Sequence, residues 1–65
     1  MTLIINGQPE DQAAETLFDL VETLGLADAM VATALNGAFV PAAARRRTAL
    51  TEGDRVEILA PMQGG

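Results

Sequence analysis

Near its start the chain reads Thr2-Leu3-Ile4-Ile5-Asn6-Gly7-Gln8-Pro9. A short apolar run rich in β-branched residues leads straight into Asn-Gly, a dipeptide that accepts positive φ at both positions and marks a hairpin turn. A second short strand should leave through Gln8 and Pro9 and fade in the acidic Glu10-Asp11. Alternation along the first strand sends Leu3 and Ile5 to one face, which makes them candidate core residues.

Outward from this hairpin the period changes. Leu17, Leu20, Val21 and Leu24 recur at i, i+3, i+4 and i+7, one face of a helix. Thr16, three positions before Asp19, is a capping-box-like start, and Gly25 supplies the left-handed residue that ends the helix. Asp19, Glu22 and Thr23 fall on the opposite face, expected to be solvated. Val31-Ala32-Thr33-Ala34-Leu35 then reads as a strand, Asn36-Gly37 as a second turn, and Ala38-Phe39-Val40 as a return strand that Pro41 stops. Residues 42–47, Ala-Ala-Ala-Arg-Arg-Arg, suggest a single helical turn or a surface loop. Glu52-Gly53-Asp54 is a turn before a last strand over residues 55–60, with Val56 and Ile58 facing the core and Leu59 facing away.

The order β-β-α-β-β-β describes an α+β roll: a mixed sheet of four to five strands packed on one main helix. Hairpin, crossing helix and later strands beside the first are the order of the β-grasp architecture, with residues 1–60 as the globule and 61–65 as a flexible C-terminal tail. Whether the last strand lies parallel to the first is topology that the pattern does not show.

Composition narrows the function. The 65 residues include no cysteine and no histidine, which removes disulfides, thiolate nucleophiles, an imidazole base and the usual zinc ligands. Lysine, tyrosine and tryptophan are absent too, so neither Schiff-base chemistry nor an aromatic platform for single-stranded nucleic acid is expected. Nine carboxylates against four arginines give a net charge of -5, the wrong sign for binding a phosphate backbone. Six of the carboxylates and no arginine lie in residues 1–32, so the N-terminal part is the more electronegative. At 49% hydrophobic residues the chain has the means to build a core, with a stability of roughly 3–5 kcal/mol expected for an unstapled domain of this size. No run approaches the roughly 18 apolar residues of a membrane span, and a soluble cytoplasmic protein is expected.

The chain closes on Pro61-Met62-Gln63-Gly64-Gly65. Five residues extend at most about 17 Å, enough to carry a terminal carboxylate into a cleft on another protein while the globule stays outside. Gln63 and Gly64 would thread, the glycines needing little more room than the backbone. The Gly65 carboxylate would be the functional group. Ionised at neutral pH, it is a poor electrophile, so activation requires conversion to an acyl-adenylate. The domain has no phosphate-cradling loop, which places the ATP site on a partner.

On these residues the sequence resembles the sulfur-carrier proteins of thiamine biosynthesis, a ubiquitin-like β-grasp family ending in Gly-Gly. The resemblance rests on Leu3-Ile4-Ile5-Asn6-Gly7, Leu35-Asn36-Gly37 with Val40-Pro41, residues 50–58 (Leu-Thr-Glu-Gly-Asp-Arg-Val-Glu-Ile) and Pro61-Met62-Gln63-Gly64-Gly65, and so spans nearly the whole chain. It implies a carrier rather than an enzyme. In the implied cycle an E1-like adenylating enzyme activates Gly65 with ATP, cysteine-derived sulfur from a desulfurase converts the carboxylate to a thiocarboxylate, and thiazole synthase receives the sulfur. No bound cofactor or metal, no nucleic acid and no membrane enter that cycle. The family often carries a basic residue directly after Val-Pro, where this chain has Ala42.

Leu59, Met62 and Phe39 are the partner-binding candidates, an apolar anchor if exposed; of the three, Phe39 is the one nearer to burial in so small a roll. The Arg45-Arg46-Arg47 run is expected as a solvated loop outside the site. Two other readings remain open: a sulfur carrier for another pathway, such as molybdopterin synthesis, and a non-covalent ubiquitin-like interaction module, which would tolerate loss of Gly65.

Overall fold

Asn6 and Asn36 both take a φ of 50°, followed by Gly7 at 83° and Gly37 at 86°. These are the paired positive angles that a two-residue hairpin turn of type I′ requires. Each turn joins two strands of the computed structural model, which describes residues 1–60. The first joins β1 (Thr2–Ile5) to β2 (Gln8–Asp11), closing at Ile5 opposite Gln8. The second joins β3 (Ala32–Leu35) to β4 (Ala38–Val40), closing at Leu35 opposite Ala38. As expected, β2 leaves through Gln8 and Pro9 and ends in the acidic pair, at Asp11, every one of its residues exposed. It is an outer strand, where charged side chains and the missing N–H of Pro9 face water without loss.

The helix α1 (Leu17–Thr23) starts where the capping pattern places it, with the Thr16 hydroxyl accepting from the Asp19 N–H at 3.1 Å. Leu17, Leu20 and Val21 are buried, and Gly25 follows at a φ of 77°. Two backbone bonds tie the start of α1 to the segment before the last turn: Leu17 N–H to the Thr48 carbonyl and Leu50 N–H to the Glu15 carbonyl, both 2.9 Å. They bring Leu50 into the core.

The last strand, β5 (Arg55–Leu59), enters the middle of a five-stranded sheet of order β2-β1-β5-β3-β4. It runs parallel to β1, with Ile5 beside Val56, and antiparallel to β3, with Thr33 opposite Ile58. This is the β-grasp arrangement. Leu3, Leu17, Leu20 and Val56 are fully enclosed between sheet and helix. The tail expected over residues 61–65 lies outside the described residues.

The arginine run departs from the solvated loop expected of it. Residues Ala42–Arg47 form a 3₁₀-helix. Arg45 donates from Nε to the Thr33 hydroxyl at 3.0 Å and from Nη2 to the Val31 carbonyl at 2.7 Å. Thr33, buried in the sheet, donates its own hydroxyl hydrogen bond to the Val40 carbonyl at 2.7 Å. Arg46 lies over the Phe18 ring, 4.2 Å from its centroid, a cation–π contact between the 3₁₀-helix and α1. Charge counting misses these roles because a guanidinium offers five donors and a flat face as well as a charge.

Truncating Leu20 to alanine should cost about 2–5 kcal/mol, comparable to the whole stability of a domain this small. Thr33→Val keeps the shape but removes the hydroxyl bond to the Val40 carbonyl and leaves the Arg45 Nε–H without its partner, and should cost about 1–3 kcal/mol. Urea unfolding followed by circular dichroism measures both, and a neutral Thr33→Val would show that the chain of bonds contributes nothing.

Candidate functional site

β5 alternates strictly: Val56 and Ile58 are buried, Arg55, Glu57 and Leu59 exposed. Leu59 thus points away from the core, as expected, and keeps 65% of its surface in solvent. Phe39 corrects the reading that put it nearer to burial, for it is 69% exposed. The reason is register. Val40 pairs with the buried Thr33 and takes the core side of β4, so its neighbour Phe39, opposite Ala34, must face outward.

The register also places Leu59 and Phe39 on the same outer face. Leu59 lies opposite Ala32, and Ala34 lies opposite both Glu57 and Phe39. Between the two large side chains β3 thus presents only alanines. Two strand spacings and one two-residue step separate the anchors by about 12 Å, which leaves a shallow apolar floor with a bulky group on each side. Further along β5 the face turns charged, at Glu57 and then Arg55.

Beside the end of β5 a groove of about 610 Å³ is lined by Met30, Val31, Ala32, Arg45, Leu59 and Ala60, among others. Met30, 83% exposed, was not among the expected site residues, which treated it only as the point where a strand pattern begins. Nothing in its neighbours' pattern singles it out; only the loop's return to the sheet brings it to Leu59. The arrangement sets two exposed apolar side chains, Leu59 and Met30, at the groove beside the end of β5, with a third, Phe39, across the alanines of β3. Of the other expected site residues, Met62, Gln63, Gly64 and Gly65 lie outside the described residues. No helix among the described residues is long and apolar enough to cross a membrane.

At the opposite end of β5 the Asp54 carboxylate is held by two donors. Asn36 Nδ2 reaches Oδ1 at 3.0 Å and the Thr51 N–H reaches Oδ2 at 2.8 Å. The Asn36 bond, with the Thr51 N–H second, keeps this carboxyl below the ordinary aspartate value of 3.8, against a small opposing effect of burial.

The ThiS family model matches residues 3–65. The chain belongs to the ThiS family. Solved structures that match include the crystal structure of the thiamine biosynthesis protein ThiS from Geobacter metallireducens, 36% identical, with each chain covered over 100% of its length and a TM-score of 0.82. No curated protein sequence matches the chain. The family is that of the sulfur carriers the sequence resembles, and the ubiquitin-like fold agrees with it. In this ThiS chain Ala42 follows Val40-Pro41 and carries no charge; the arginine that reaches back to the sheet is Arg45, from the next turn of the 3₁₀-helix.

Because the folded state lowers the Asp54 pKa, the stability this group contributes is present above about pH 4 and is lost as the pH falls through the depressed folded value. Asp54→Asn should therefore flatten the acid limb of a stability-against-pH curve relative to the parent, read by thermal unfolding between neutral pH and pH 2. Parallel acid limbs would show that the two bonds do not favour the ionised form.

Proposed function

We propose that this ThiS protein carries sulfur on the carboxyl end of Gly65 for thiazole formation in thiamine biosynthesis. An E1-like enzyme would bring the Gly65 carboxylate to the α-phosphorus of ATP; one carboxylate oxygen bonds to phosphorus and pyrophosphate leaves. The resulting acyl-adenylate is the electrophile that the free carboxylate is not. A persulfide that the desulfurase builds from cysteine then attacks the carbonyl carbon and AMP departs. A thiol, such as a second cysteine, cleaves the S–S bond of the resulting acyl disulfide, leaving the thiocarboxylate on Gly65 and a disulfide on the donor side. Thiazole synthase would transfer that sulfur to its substrate, an oxygen from the acceptor or from water bonding to the carbonyl carbon as the C–S bond breaks, which regenerates the Gly65 carboxylate.

The observation that carries this reading is the family match continuing through Gly64 and Gly65. Two features of the chain support it. With no lysine or cysteine, the chain offers its own activated end neither a side-chain amine nor a thiol. In addition, β5 bears Leu59 exposed on the same sheet face as the exposed Phe39. A partner gripping that face would sit close enough for the five residues beyond Ala60 to reach its interior, with Met62 adding a further apolar contact. Gln63 and Gly64 would occupy the narrow approach. All the ATP chemistry and the sulfur supply belong to the partners.

Intact mass after incubation with ATP, the adenylating enzyme, a desulfurase and cysteine should rise by about 16 Da, one oxygen replaced by sulfur, and a variant lacking Gly65 should show no gain. No gain in the parent with a demonstrably active partner set would overturn the carrier chemistry. Replacing Leu59 and Met62 by serine should weaken binding to the adenylating enzyme at least about tenfold, as expected for central apolar anchors. Isothermal titration against the folded double variant reads this, and unchanged affinity would move the docking surface elsewhere.

A further inference from the structure

β5 needs a hydrogen-bonding neighbour on both sides, but β1 supports it only in part. The parallel ladder pairs Ile4 with Arg55 and Ile5 with Val56 and then ends, because the chain turns away at Asn6-Gly7. In a strand, residues two apart aim their N–H and C=O at the same neighbour. Val56 faces β1, where its carbonyl receives the Asn6 N–H at 2.9 Å. Ile58 faces the same side, at a level where β1 has already left.

The Asn6 side chain fills that place. Its Nδ2 donates to the Ile58 carbonyl at 3.1 Å and its Oδ1 accepts from the Ile58 N–H at 2.8 Å, a bond pair spanning 52 residues of sequence. A carboxamide is a copy of a peptide group, with one donor and one acceptor side by side, and here it continues the sheet for one more step. Only one orientation of the amide works, since the Ile58 N–H requires an acceptor and its carbonyl a donor. Beyond Ile58 come Leu59, which pairs with Ala32, then Ala60 and the tail. Among the described residues, the Asn6 pair is therefore the last hydrogen bonding that β5 receives from the β1 side.

We infer that Asn6 is a positioning residue for the tail: by clasping Ile58 it sets the direction in which Leu59, Ala60 and the tail depart. This rests on the carrier reading above. A terminal carboxylate that starts from a fixed strand end searches a smaller volume before it enters a partner's cleft than one that starts from a frayed end. Releasing the clasp adds ordering cost to the encounter and leaves the chemistry of the bound end unchanged, so it should act on KM rather than kcat.

Asn36 provides the control. It occupies the same kind of turn, at the same φ of 50°, and its side chain also binds β5, but at the far end: Oδ1 accepts from the Arg55 N–H at 2.9 Å. Asn6→Gly and Asn36→Gly each remove one clasp while keeping a residue that tolerates positive φ. Asn6→Asp keeps the size and the acceptor but replaces the donor by a charged oxygen that faces the Ile58 carbonyl, and serves if the glycine variant does not fold. By amide hydrogen exchange, Asn6→Gly should speed the Ile58 amide at least about tenfold relative to Val56, and Asn36→Gly should leave Ile58 unchanged. In ATP–pyrophosphate exchange catalysed by the adenylating enzyme, Asn6→Gly should raise the KM for the carrier about fivefold with kcat within about twofold, Asn6→Asp should raise KM in the same sense, and Asn36→Gly should match the parent. Equal KM values for the Asn6 and Asn36 variants would overturn the inference and leave the carrier reading intact. A parent protein that supports no exchange and gains no sulfur would overturn the carrier reading, and this role with it.

Discussion

Val56 and Ile58 carry β5 through the centre of the sheet, with β1 parallel on one side and β3 antiparallel on the other. The rest of the fold is arranged to meet that requirement. A central strand must satisfy two rows of backbone groups, and the last strand of the described residues fills this role between β1 and β3. The helix covers the face where Leu3, Ile5, Val56 and Ile58 converge. Both hairpin turns flank β5, and both of their asparagines bond to it.

The same economy explains the exposed face. One seven-residue helix covers one side of a five-stranded sheet, and among the described residues no element covers the other. On that open side the charged residues Arg55 and Glu57 lie toward the turn end of β5, and the apolar Leu59 lies next to the tail, with Phe39 across the alanines of β3. An apolar surface at the point of departure suits a protein of the ThiS family, whose proposed chemistry takes place inside partners that must hold the globule while they work on its end.

Arg45 and Thr33 show how a polar pair can hold a core this small. Thr33 is buried in the sheet, accepts from Arg45 and donates to the Val40 carbonyl. The guanidinium also bonds the Val31 carbonyl, so a single side chain joins the 3₁₀-helix to β3 and, through Thr33, to β4. Among the described residues no buried side-chain nitrogen or oxygen lacks a partner, as a small domain with little stability in reserve requires.

The sequence by itself determined whatever depends on neighbours a few residues apart. The two Asn-Gly turns, the Thr16 cap with Asp19, the Leu17–Leu20–Val21 stripe and the alternation of β5 are local rules of φ, helix period and pleat, and each is present as read. The Gly-Gly ending and the motifs around it likewise marked the family. Tertiary structure alone decided what depends on distant pairing. Ala38-Phe39-Val40 is apolar throughout, so only its pairing with Thr33 determines that Val40 turns inward and Phe39 outward. Met30 joins Leu59 only because a loop returns to the sheet, and Arg45 becomes structural only because Thr33 and Val31 lie within its reach. Asn6 read as a turn residue and nothing more; its second role exists because β5, more than 50 residues later, arrives beside it with an unpaired peptide group. Backbone hydrogen bonding is obligatory, but which side chain completes it is decided by where the strands meet.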